Sequence, residues 1–243
     1  MKIKQISHLK DSSIMELFGI LADGEVVDSC ELTNENGMQL KIINYGATAT
    51  SLKIPLKNGE IVDVVLGFDT LEAYLKSFDL ESAPYFGTTV GRYAGRINKG
   101  VFSLNGNLIH LNKNNNANSL HGGNIGFSQK KWEIKNVKEG KNPSITLAYF
   151  SPDGEENYPG GLSVEITYMV SEENELIIEY KAISTEDTVV NLTHHSYFNL
   201  EGQHSNVLGQ ELQINATQVL ATKAMIPTGE LLSVHDTEWD YTN

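Results

Sequence analysis

The chain has 243 residues, 40% of them apolar, enough to bury a substantial core in one large domain spanning residues 1–243. Its formal net charge of −13 argues against nucleic acid or any other partner held through phosphates, because such binding rests on neutralisation by Lys and Arg. Arginine occurs only at Arg92 and Arg96, four positions apart in one segment.

The N-terminal stretch MKIKQISHLKDSSIMELFGI lacks the apolar run of ~7–15 residues that a secretory leader needs. No window is apolar and long enough to span a bilayer, so no membrane partner is expected. The one cysteine, Cys30, falls in a strand-like run from Val26 to Leu32 and reads as a small hydrophobe. These features lead to the expectation of a reducing, cytoplasmic setting.

Taken in chain order, the elements are strands. Alternation of apolar and polar residues marks Val26 to Leu32, Met38 to Ile43, Thr48 to Ile54 and Ile61 to Leu66. Helical spacing is confined to the neighbourhood of Leu71 to Leu75. Val101 to Leu104 and Leu108 to Leu111 flank Asn105-Gly106-Asn107, and Asn-Gly is a strong hairpin signal because both residues tolerate positive φ. The polar runs Asn112 to Ser119 and Lys135 to Asn142 read as loops. Ser144 to Phe150 is a strand, Leu162 to Val170 and Leu176 to Ala182 form a hairpin around Ser171-Glu172-Glu173-Asn174, and Val189 to Leu192 is a further strand. Strand after strand without intervening helices predicts an all-β sandwich or barrel.

Three segments carry side chains suited to chemistry. In Val90-Gly91-Arg92-Tyr93-Ala94-Gly95-Arg96-Ile97, glycines beside both arginines allow close approach by a ligand whose hydroxyls or carboxylates fit the guanidinium fork. A turn whose arginines pair with some of the 31 acidic residues is the competing reading. In Ser119-Leu120-His121-Gly122-Gly123, the histidine either faces a cleft or hydrogen-bonds a neighbouring carbonyl. In Asn191 to Leu200, the adjacent His194 and His195 point to opposite faces if the stretch is extended. They cannot then converge on one metal ion, and only His195 shares a face with Tyr197 and Asn199. No second close-spaced ligand pair for zinc and no Gly-x-Ser-x-Gly elbow occurs, so no metal or cofactor is expected. Hydrogen-bonding and acid–base chemistry on a neutral polar ligand is what remains.

One collinear set of segments comprises Leu32-Thr33-Asn34 through Asn44-Tyr45-Gly46-Ala47-Thr48, Asp63 to Asp69, Pro84-Tyr85-Phe86-Gly87 and Gly91 to Ile97. It continues in order through Ser119 to Gly123, Ser151 to Glu156, Tyr158-Pro159-Gly160, Asn191 to Gly202 and Ile226 to Glu230. In this set the chain resembles the aldose 1-epimerases, the galactose mutarotase family. The resemblance implies a galactose mutarotase-like β-sandwich with an open face that binds a monosaccharide such as galactose or glucose. Carried over residue by residue, it implies His195 as the general acid, with Arg96, His121 and Tyr197 lining the sugar site. Gly95 and His194 stand where many members have Asn. The resemblance also implies that the domain's last strands and the family's carboxylate base lie after Asn243, which would leave a chain ending there inactive. The alternatives carried forward are a noncatalytic sugar-binding protein without the base and an epimerase of hexose 6-phosphates.

Overall fold

A computed structural model describes residues 14–242. The leader reading on residues 1–13 lies outside them. Five strands, β1 (Met15–Ile20), β2 (Val26–Thr33), β3 (Gln39–Ile43), β4 (Thr48–Pro55) and β5 (Ile61–Asp63), form an antiparallel meander in chain order. After it come a helix, α1 (Leu71–Ser77), and the short strands β6 (Thr89–Val90) and β7 (Arg96–Ile97). The hairpin β8 (Val101–Leu104) and β9 (Asn107–His110) follows, then β10 (Ser119–Leu120). A second antiparallel meander comprises β11 (Glu133–Lys138), β12 (Ser144–Ser151), β13 (Leu162–Val170) and β14 (Leu176–Ser184). The described chain closes with β15 (Thr193–His194), β16 (Gln218–Lys223) and β17 (Ile226–Ser233).

The period-two pattern explains why the two meanders stack. Cys30 and Leu32 of β2, Leu40 and Ile42 of β3, and Leu52 of β4 share a buried cluster with Ile145, Leu147, Val164, Ile166 and Tyr168 of β12 and β13. This is the interior of a β-sandwich, and burying each such side chain contributes about 1.5–3 kcal/mol before entropy is counted. Cys30 belongs to that interior, and burial pushes its thiol up to about 12, where it stays un-ionised. The other face of the first sheet is covered by α1, through Val27 and Ile43 against Leu71 and Tyr74. Thr70 caps that helix by accepting a hydrogen bond from the Ala73 N–H.

The Asn105-Gly106 hairpin forms with a two-residue turn, Leu104 paired to Asn107, and φ of +51° and +80° at the central residues. Three expectations change. The strand read from Ile61 to Leu66 ends at Asp63, and Val65 makes an isolated bridge to Phe198. Lys135 to Asn142 is not wholly loop, since β11 runs through Lys138 and pairs with β12. A bulge between Ile134 and Asn136 sets the core-facing Ile134 and Val137 three residues apart, which hides the alternation. Val189 to Leu192 is not a strand either: Asn191 makes an isolated parallel bridge to Tyr93, and the ladder begins at Thr193. Among the described residues no helix is long and apolar enough to cross a membrane.

Candidate active site

The segment carrying both histidines is held on two sides by backbone hydrogen bonds. Thr193 and His194 pair with Val90 and Thr89, and the His195 N–H donates to the Thr88 carbonyl at 2.9 Å while its own carbonyl accepts from Gly87. Beyond it, the Leu66 N–H donates to the Tyr197 carbonyl and the Asn199 N–H to the Val64 carbonyl. Extended backbone locked in this way sends successive side chains to opposite faces.

His194 turns inward. Its ring lies 5.7 Å from that of Tyr168 on β13, its Nδ1 is 3.4 Å from the Tyr168 hydroxyl, and its Nε2 meets the Ser196 hydroxyl. Burial first, and then the charge of His195, lowers its pKa to about 4. His195 turns the other way, with its ring 5.2 Å from His121 and 5.4 Å from Tyr197. Burial lowers its pKa as well, against a backbone hydrogen bond that raises it. Asn199 does not reach this face. It is buried, its side-chain amide donates to the Ser205 carbonyl, and its oxygen accepts from Glu201 and Gln210.

His121 arrives from β10. Leu120 pairs with Arg96 of β7, and the antiparallel register then brings His121, just past β10, opposite Gly95. The Gly95 N–H donates to His121 Nδ1 at 3.1 Å, and the His121 N–H returns a bond to the Gly95 carbonyl at 3.0 Å. An acceptor at Nδ1 places the proton of the neutral ring on Nε2, the nitrogen left for a ligand. Burial, followed by the charges of His195 and Arg96, lowers the His121 pKa to about 4. Gly122 behind it is required: at its φ of +92° an added Cβ would lie 1.9 Å from the Gly91 carbonyl oxygen.

The two arginines part company. Arg96 is partly exposed and donates through Nε to Asn115 Oδ1 at 2.9 Å, which steadies it beside His121. Arg92 is only 2% exposed, and its guanidinium donates to the carbonyls of Ser151, Pro152, Pro159 and Gly160 and to the Ser151 hydroxyl. Neither the ligand reading nor the carboxylate-pairing reading describes Arg92. It is a tie between loops, and carbonyls far away in sequence leave no local signal. Arg96, His121, His195 and Tyr197 therefore come together, and Tyr85, to which the sequence reading gave no role in the site, joins them. Its ring lies 4.9 Å from His121 and 5.8 Å from His195. Phe86, next to it, packs edge-on against Tyr197 at 5.2 Å. Among the described residues no three His, Cys, Asp or Glu side chains gather as a metal-ligand set.

The family model for aldose 1-epimerase matches residues 28–243. The chain belongs to the aldose 1-epimerase family. It is 42% identical to the galactose mutarotase of Bos taurus over 227 residues, covering 92% of this chain and 63% of that protein. It is 33% identical over 220 residues to the aldose 1-epimerase of Escherichia coli strain K12, covering 90% and 61%. The fold superposes on the crystal structure of the galactose 1-epimerase from Lactobacillus acidophilus NCFM with a TM-score of 0.78 at 28% identity, over 94% of this chain and 65% of that one. This member of the aldose 1-epimerase family thus spans less than two thirds of the length of these relatives.

Proposed function

We propose that the protein is an aldose 1-epimerase acting on free aldohexoses, with galactose and glucose as substrates, and that His195 is its general acid. The observation that carries this reading is the meeting of His195 and His121 on one face, with Arg96 and Tyr197 beside them, in a chain of this family. Interconverting the anomers requires one proton to leave the anomeric hydroxyl and one to reach the ring oxygen. The C1–O5 bond then breaks, the C1–C2 bond of the open aldehyde rotates, and closure reverses both transfers. In this reading a carboxylate takes the hydroxyl proton and His195 delivers the other. Burial makes its imidazolium a ready donor. His121, through its Nε2–H, and Arg96 donate hydrogen bonds to sugar oxygens, and Tyr197, 45% exposed, supplies an aromatic wall.

Because Arg92 is withdrawn into the interior, Arg96 is the one arginine left to face a ligand, which favours a neutral sugar over a hexose phosphate. Polarimetry on freshly dissolved α-D-galactose and α-D-glucose with the full-length protein tests the proposal. Equilibration faster than buffer, unaltered by a chelator, is expected. Sugar binding without acceleration would instead favour the noncatalytic reading.

A further inference from the structure

Two non-glycine residues lying 36 positions apart, Tyr85 and His121, adopt left-handed backbone conformations with φ of +52° and +53°. Such conformations are costly for side chains with a Cβ and persist where the surroundings impose them. Here the two strained positions aim their rings at each other. Tyr85 meets His121 edge-on, with centroids 4.9 Å apart at 68°, and His195 at 5.8 Å and 48°, while the two imidazoles stand 5.2 Å apart at 84°. Each of the three rings touches the other two. Phe78, just past α1, backs Tyr85 edge-on at 5.6 Å, and the Thr88 N–H and hydroxyl both donate to the Tyr85 carbonyl, holding the turn.

We propose that Tyr85 is a positioning residue of the candidate site, whose ring fixes the His121 and His195 imidazoles against each other and keeps water from the side they share. The proposal rests on the epimerase reading only in taking this cleft as the reacting one. The ionisable groups facing the imidazole pair are Tyr85 itself, Tyr197, Arg96 and, from the opposite side of the strand, His194. Burial keeps the Tyr85 phenol un-ionised, so its ring acts as apolar cover rather than as a charge. Burial is also the leading cause of the low proton affinity of both histidines.

The test is a 15N NMR titration of the His121 and His195 side chains in the full-length protein and in Tyr85→Phe and Tyr85→Gly. Glycine removes the ring while suiting the left-handed backbone, and Tyr85→Asn, which tolerates the same conformation, takes its place if the glycine variant does not fold. In Tyr85→Phe both histidines should titrate as in the parent. In Tyr85→Gly both should move up toward the ordinary imidazole value near ~6.5, and the pH dependence of turnover should move with His195 while KM changes less. Unaltered titrations in the glycine variant overturn the proposal, as does an equal shift in the phenylalanine variant, which would assign the effect to the hydroxyl. The titrations need no turnover. Absent mutarotation with shifted histidines would sink the epimerase reading and leave Tyr85's role standing.

Discussion

His194 and His195 share a residue type and a peptide bond, yet they occupy opposite regions of the molecule. His194 lies half-buried against Tyr168 of β13, and His195 lies in the aromatic cluster with His121 and Tyr85. Arg92 and Arg96 divide in the same way: one is clamped by carbonyls and the other steadied at the edge of the cleft by a single Asn. Identical side chains a few residues apart acquire a structural or a functional role according to the surroundings into which they project. The difference is testable because each pair supplies its own internal control.

The largest effect should come from the histidines. His195→Ala in the full-length protein is expected to lower turnover by ~10²–10⁴-fold, as for loss of a general acid, whereas His194→Asn should cost less than about tenfold. Polarimetric kinetics on the two variants, with thermal melting as a check on folding, measures both. Equal losses in folded variants would break the division of faces.

The arginines give the next effect, and here it should appear in different measurements. Arg92→Met strands the buried carbonyls of Ser151 and Gly160 and the part-buried ones of Pro152 and Pro159, and should destabilise the fold by about 3–5 kcal/mol. Arg96→Met should leave denaturant unfolding near the parent curve and instead raise KM for the sugar. A reversal of that pattern would place the ligand at Arg92.

A third effect concerns acid. His194 is neutral in the fold with a pKa of about 4, while an unfolded histidine titrates near ~6.5. Between those values the unfolded chain binds more protons than the native one, so stability is lost as the pH falls through this window and is flat above it. Each pH unit is worth ~1.4 kcal/mol, so the loss attributable to His194 reaches about 3 kcal/mol by pH 4. Urea unfolding of the parent and of His194→Asn across this range should show a shallower acid decline in the variant.

How much of this was legible in the sequence depends on how far each feature reaches. The Asn105-Gly106 turn was readable because two adjacent residues carry the whole signal, and so was the opposition of His194 and His195, which follows from the period of an extended chain. The meanders were readable wherever alternation is unbroken, as in β13 and β14. They were not readable at β11, where the bulge at Ile134 and Asn136 breaks the alternation. Asn199 follows His195 in register but is drawn into the loop bonded to Ser205 and Gln210, beyond what alternation reports. Arg96, His121 and Tyr197 were placed by resemblance rather than by local pattern. Tyr85 stands in a segment that carries the resemblance but received no role, because a left-handed φ at a tyrosine leaves no mark in composition or spacing and its partners lie 36 and 110 positions away.

The smallest effect separates the two faces of the strand by following one proton. The Tyr168 hydroxyl donates to the Ala47 carbonyl at 2.7 Å, which uses its one hydrogen, so toward His194 it can only accept. His194 must then carry its proton on Nδ1, leaving Nε2 as an acceptor for the Ser196 hydroxyl. Ser196→Ala removes that donor and leaves a half-buried ring nitrogen without its partner. The expected cost is about 1 kcal/mol of stability, the usual net worth of one neutral hydrogen bond. The His195 titration should not move, because the substitution lies on the other face. Chemical unfolding and a 15N titration of the variant read the two quantities separately. A stability loss accompanied by a shifted His195 would mean that the faces communicate through the strand, and would replace the picture of two independent sides with one of a coupled pair.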